Sequence, residues 1–233
     1  MTKRPEILHE TREVVYDDNH WRLLASLREK ALEVMQNLDD AGMRSFAYGS
    51  IARGDIHTSS DIDVILPYPV SSYKVEVTIG KGFHREIVQA TPSTVMKAHI
   101  HLSNELVVTF PLFKFMPREE EFYQWGGQVD IDQIHEKVRV PGVDKRLVLI
   151  EPTKTGHMER GVIGYEHEVA KRIGVSIAIA QERVRVLKRR DNVGRTGVYL
   201  TRPLSEDESF ETIAKSLKDS DPAIRRTVGR RGE

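Results

Sequence analysis

Asp61 and Asp63 flank a single isoleucine at the opening of an apolar run, within YGSIARGDIHTSSDIDVIL, residues 48–66. Alternate residues of an extended strand point to one face, about 6.5–7 Å apart. The two carboxylates therefore converge on one site, while Ile62 and Val64 face the core. Withdrawing carboxylates from water is costly unless a cation pairs with them, and a divalent metal ion meets that need. Magnesium prefers hard oxygen ligands, takes one or two carboxylates from a protein, and completes its shell with water and substrate phosphate. Two such ions about 4 Å apart can activate an attacking oxygen and stabilise a leaving one.

Gly49 and Ser50 supply a complementary chemistry. A glycine at a strand end permits a positive φ and lets phosphate oxygens approach the backbone. Ser50 adds an N–H and a hydroxyl at the start of a helical turn. Arg53 follows one turn later, where a guanidinium can meet phosphate in bidentate fashion. Together these residues suit a triphosphate held against bound metal.

The elements that must position them are readable from periodicity. Residues 19–41 place Trp21, Leu24, Leu27, Ala31, Met35 and Leu38 on one helical face, with Gly42 as a stop. A short strand over 45–48, a turn with a short helix, and a strand over 61–66 follow; Pro67 and Pro69 close the last. Strands are expected at 86–90 and 97–102, the latter joined through Ser103-Asn104 in a hairpin to 105–113. A short helix follows Pro117 over 119–125, and a buried strand is expected at 147–150.

The C-terminal third reads differently. A helix carrying Val169, Ala170 and Ile173 stops at Gly174. A second helix, capped by Ser176, lines Ile177, Ala180, Val184 and Leu187 on one face. Residues 192–197 have the composition of a tight hairpin, with a strand at 198–200. Helix, turn, helix and hairpin resemble a winged helix-turn-helix. The last dozen residues are expected to be mobile.

Composition bounds the function. The 233 residues carry 35 Lys and Arg against 35 Asp and Glu, and contain no cysteine; disulfides and thiolate chemistry are excluded. No stretch approaches the roughly 20 apolar residues of a spanning helix, and the N-terminus lacks an apolar secretory segment, so a cytoplasmic protein without membrane contact is expected. The even balance hides an asymmetry. From Arg160 onward there are 16 Lys and Arg against 11 Asp and Glu, so this portion is the better candidate for a polyanion. Arg183, Lys188, Arg189, Arg190 and Arg195 cluster around the second helix and the expected hairpin, where phosphate contacts would dominate and binding would be salt-sensitive. The same module could instead dock on protein, a second copy of the chain included.

A hydrophobic residue, Gly-Ser, a gap of about ten residues and then Asp-hydrophobic-Asp-hydrophobic resembles the DNA polymerase β-like nucleotidyltransferase superfamily. Here it reads Tyr48, Gly49, Ser50, then Asp61, Ile62, Asp63, Val64. The intervening Ala52-Arg53-Gly54-Asp55 is similar to the form in CCA-adding enzymes and minimal nucleotidyltransferases, and the chain as a whole looks most like predicted nucleotidyltransferases of archaea. The resemblance implies an α+β fold, a small mixed sheet backed by helices, and magnesium-dependent transfer of a nucleoside monophosphate from a nucleoside triphosphate to an acceptor, with release of pyrophosphate. With the winged module it implies a nucleotidyltransferase-like domain over 1–155, the module over 156–202 and a tail over 203–233.

The resemblance also implies a third carboxylate on a later strand, as metal ligand and base. The middle of ELVVTFPLF holds Val107, Val108 and Thr109 instead. Glu105, at that strand's start, is the nearest substitute; Glu76, Asp130 and Asp132 are rivals. His99, His101 and Lys97 share a strand face, as phosphate contacts or as an ordinary solvated face. Gly156-His157-Met158-Glu159 is expected to be a turn leading into a helix. Two functions remain: an enzyme that uses Asp61, Asp63 and Glu105 on a nucleotide with an RNA, protein or small-molecule acceptor, or a nucleic-acid binder whose nucleotide domain senses without turnover.

Overall fold

A computed structural model describes residues 4–194 and 197–232. In chain order the elements are β1 (Arg12–Val15), α1 (Asp18–Asp40), β2 (Phe46–Tyr48), α2 (Ser50–Arg53), β3 (Ile62–Ile65), α3 (Ser72–Ile79), β4 (His84–Gln89), β5 (Lys97–His101), β6 (Leu106–Pro111) and α4 (Pro117–Gly126). They continue with β7 (Gln128–Val129), α5 (Ile131–His135), β8 (Gly142–Val143), β9 (Val148–Pro152), β10 (Gly156–Gly161), α6 (Glu166–Ile173), α7 (Ile177–Val193), β11 (Leu200–Pro203), α8 (Phe210–Ser220) and α9 (Pro222–Gly229). No helix among the described residues is long and apolar enough to cross a membrane.

The chain divides into two units, each discontinuous in sequence. The first comprises residues 1–30, 47–60 and 120–196; the second comprises 31–46, 61–119 and 197–233. In the first, β1, β10, β9 and β8 form an antiparallel sheet in that order, and β2 pairs with β7. Trp125, Val143, Leu147, Leu149 and Val162 pack with Val169 and Ala170 of α6 and with Ile179, Ala180 and Val184 of α7. Ser176 caps α7 as expected, its oxygen accepting from the Ile179 N–H at 3.4 Å. Of the expected face of α7, Ala180 and Val184 are buried and Leu187 packs against them, while Ile177 is 42% exposed and Ile179 is buried instead. Ser176 holds the first turn to Glu121 through its N–H and hydroxyl, at 2.8 and 2.6 Å, and that anchor sets the rotation of the helix.

In the second unit the strand order is β11-β4-β5-β6-β3. The β4-β5-β6 steps are antiparallel and β3 runs parallel to β6. Inward residues Ile62, Val64, Val108, Phe110, Ala98, Ile100 and Ile87 are fully buried, and Phe110 meets Phe210 of α8 edge to face at 5.7 Å. This alternation puts Asp61 and Asp63 on the face opposite Ile62 and Val64, Asp61 exposed and Asp63 half-buried, while Ile65 further along their face is buried.

Two expectations for the C-terminal third are corrected. The strand assigned to a wing lies at Leu200–Pro203 and pairs antiparallel with β4, completing the second unit's sheet; α7 runs on through Asn192 and Val193, so no hairpin begins there. Within the segment expected to be mobile, residues 222–229 form α9. Asp221 caps it from the Ala223 N–H at 2.7 Å, and the buried Arg231 is bound by both oxygens of Glu119 at 2.6 and 2.9 Å. A docked guanidinium outweighs the polar, glycine-containing composition on which mobility was expected.

Candidate functional site

The first unit carries the Gly49-Ser50 bend. Gly49 has φ 82° and ψ −140°, a conformation that L-residues with a Cβ disfavour. Its N–H donates to the Gly127 carbonyl at 2.8 Å, and a Cβ placed on it would meet nothing within 4 Å. The bend is therefore fixed by backbone geometry and open to an incoming group. Arg28, buried, donates to the carbonyls of Ile51 and Ala52 at 2.9–3.1 Å, which ties off the C-terminal end of α2. Burial, then the charge of Arg139, pull this guanidinium down to about 10. On the far side of the loop, Ser60 accepts from the His57 N–H at 2.9 Å and from the Ser50 hydroxyl at 3.4 Å. Ser60 precedes Asp61 in the chain, so the loop that shapes the bend hands directly to the aspartate strand.

Arg53 differs from expectation. Its fork engages both oxygens of Asp55 at 2.9 and 3.0 Å, and Nη1 donates to the Gly126 carbonyl at 2.5 Å. The side chains are 6% and 8% exposed. The guanidinium is paired within the protein's own loop, two residues away in sequence.

The second unit carries the carboxylates. Asp63 is half-buried and Asp61 exposed. In register, Asp63 stands opposite Val107, Val107 opposite His101, and His101 opposite His84, so these four lie in one row across β3, β6, β5 and β4. The Ile62 N–H donates to the Glu105 carbonyl at 2.6 Å, which brings the backbone of Glu105 beside the start of β3. Glu76 accepts from Arg85 at 2.8 Å. Asp130 caps α5, accepting from the Gln133 N–H at 3.0 Å, and Asp132 sits in that helix.

The basic residues separate. The Arg183 guanidinium lies 4.9 Å over the Phe122 ring, and burial, then the charge of Arg190, pull it down to about 10. Lys188, Arg189 and Arg190 are exposed on α7, and Arg195 lies outside the described residues.

A second polar locus escaped the sequence reading. Residues 156–159, expected to turn into a helix, form β10 between β1 and β9. Gly156 permits this, since a Cβ there would fall 1.9 Å from the Val14 carbonyl. His157 Nδ1 hydrogen-bonds the Tyr16 hydroxyl at 2.5 Å, and Tyr16 stacks on His20 at 3.6 Å. Tyr16, His20, Asp55, His157 and Glu159 line a cavity of about 480 Å³. Burial, then the nearby Asp55 charge, raise the Tyr16 hydroxyl well above its ordinary range; burial holds the His157 imidazole below its own. The cue in the sequence was a histidine and a glutamate alternating between two glycines, the pattern of a strand in close backbone contact.

Residues 28–147, just over half of the chain, match the family described as nucleotidyltransferase domain. No curated protein and no solved structure matches the chain. The matched span includes Gly49, Ser50, Asp61, Asp63 and Glu105. The chain therefore belongs to the nucleotidyltransferase domain family.

Proposed function

We propose that the protein moves a nucleoside monophosphate from a nucleoside triphosphate to an acceptor hydroxyl, releasing pyrophosphate, with magnesium held by Asp61 and Asp63. The observation that carries this reading is the placement of both carboxylates on one face at the start of β3 in a chain of this family. The donors fit the ion: they are oxygen-only and hard, and the backbone of Glu105, a residue with a further carboxylate, lies beside the start of β3. Magnesium, when bound, neutralises triphosphate charge and stabilises the oxygens that attack and leave.

Each residue has a distinct part. Gly49 and Ser50 receive the triphosphate, with the backbone freedom at Gly49 preventing a Cβ from crowding the phosphates. Arg28 and Arg53 hold the bend from beneath through the carbonyls and Asp55. Glu105 accepts the proton of the acceptor hydroxyl, the task for which a carboxylate beside the metal ligands is suited. The acceptor is polyanionic, an RNA end being the favoured class, because Lys188, Arg189 and Arg190 present three exposed cations on one helix.

The test measures pyrophosphate release from each of the four nucleoside triphosphates with magnesium and RNA, protein-extract and small-molecule acceptors. Release that disappears in Asp63→Asn supports the reading. Magnesium-dependent nucleotide binding with no release under any acceptor would instead identify a sensor, for which Val107 opposite Asp63 is the structural reason.

A further inference from the structure

We infer that His84, Glu86 and His101 form a second metal site, for a zinc-class ion, on the same sheet face as the aspartates but separate from them. His84 and Glu86 are alternate residues of β4 and so share a face; His101 is the direct cross-strand partner of His84 on β5. One ligand atom from each lies within 4.8 Å of the others. Glu86 sits between the two imidazoles, with Oε1 3.2 Å from His101 Nε2 and Oε2 3.8 Å from His84 Nε2. The imidazoles are 5.2 Å apart between centroids.

Hydrogen bonding alone accounts for only part of this arrangement. It explains the His101 contact, yet it leaves His84 Nε2 at 3.8 Å, beyond hydrogen-bond range. Zinc holds nitrogen and oxygen donors at about 2.0–2.2 Å in a tetrahedron, which sets donor atoms about 3.3–3.5 Å apart. Small side-chain rotations on strands already locked by the β4-β5 ladder close the site. Ile87, Ala98 and Ile100, fully buried on the opposite face, fix the backbone under it.

A further observation on this face points the same way. His99, the cross-strand partner of Glu86, keeps Nε2 out of water with no hydrogen-bond partner. A ring nitrogen so placed beside a metal site can orient the carboxylate or bond a water on the ion. The side chains of His84, Glu86 and His101 are 40%, 17% and 24% exposed, which leaves the solvent side free for a fourth ligand, as in three-ligand zinc sites.

Ligand chemistry and distance separate this site from the aspartates. Two imidazoles select zinc, cobalt or nickel over magnesium. Asp63 and His101 are two strands apart in one register row, which is roughly 10 Å at the usual strand spacing. A catalytic metal pair is about 4 Å apart. The inferred ion would clamp β4 to β5 and would not join the magnesium.

The experiment uses the full chain stripped with a chelator. Zinc is titrated calorimetrically, and cobalt(II) is added as a visible-absorption probe of four- or five-coordinate geometry. One ion per chain is expected, with tetrahedral-type cobalt absorption and a thermal midpoint that rises with zinc concentration while equimolar magnesium neither produces the shift nor displaces zinc. His84→Ala, His101→Ala and Glu86→Gln should each weaken zinc binding at least tenfold, and Asp63→Asn should leave it within about twofold. Should His101→Ala fail to fold, the more exposed His84→Ala and Glu86→Gln decide the matter. The inference is overturned if wild type binds no stoichiometric zinc, if binding survives His84→Ala and Glu86→Gln, or if Asp63→Asn alone abolishes it. These outcomes are independent of whether pyrophosphate is released.

Discussion

Asp55 and Asp63 stand eight positions apart in one stretch of sequence, and the molecule uses them in opposite ways. Asp55 is buried in the first unit, and both of its oxygens are taken by Arg53. Asp63 is half-buried on a strand of the second unit, with Val107 opposite it in register. A carboxylate neutralised in the interior gives shape to a loop; one on a strand face is the kind the proposed ion would use. Proximity in a motif therefore says little about role, and the register of the strand says much.

Substitutions at the two positions should fail differently. Asp63→Asn is expected to lower pyrophosphate release on the order of 10³-fold, about 4 kcal/mol of transition-state stabilisation. Asp55→Asn should do the reverse in kind. It leaves a buried guanidinium without its counter-charge and should cost about 3 kcal/mol in chemical denaturation. If instead Asp55→Asn keeps its stability and loses turnover, the contrast between the two aspartates is broken.

Two further substitutions refine each side. Glu105→Gln should reduce kcat on the order of 10²-fold while nucleotide affinity holds, as expected for loss of a proton acceptor; equal loss of affinity would make it only a metal ligand. Gly49→Ala adds no steric clash, so its cost comes from the backbone, about 2 kcal/mol at this φ, read as a lowered thermal midpoint and a raised KM for the triphosphate.

The smallest effect expected concerns acid. Burial raises the Glu159 carboxyl, but hydrogen bonds and charge from Arg146 and Arg12 outweigh it and hold the group below its ordinary 4.5. A depressed carboxylate contributes stability that is present above the unfolded value and is lost as pH falls through the folded one. Wild type should therefore lose midpoint below about pH 4.5, and Glu159→Gln should show a shallower decline over the same range. An unchanged acid slope would mean that other carboxylates carry it.

What the sequence disclosed follows from the kind of signal each element leaves. The helix around Leu24, Ala31 and Leu38, the hairpin of β5 and β6, and the alternation in β3 were legible because one face is more buried than the other. The Arg53–Asp55 pairing was not legible because a guanidinium near a phosphate-type bend and one paired to a neighbouring aspartate look alike in one dimension. The Tyr16-His157 pair was invisible because 141 residues separate its members. The C-terminal strand was read locally as a wing, whereas its partner is β4, more than a hundred residues earlier. Local pattern reports that a segment is extended; only the tertiary partner says to which sheet it belongs.

The second unit is visited by the chain three times, and its last visit, residues 197–233, supplies the edge strand β11 and the helices α8 and α9. During synthesis the aspartate strand thus emerges long before the segment that covers its sheet's border. Until that segment has left the ribosome, β4 presents an unpaired edge, the kind that recruits foreign strands. Assembly of this half is consequently a late event in the life of the nascent polypeptide, and truncation after residue 196 should yield aggregates rather than a trimmed protein.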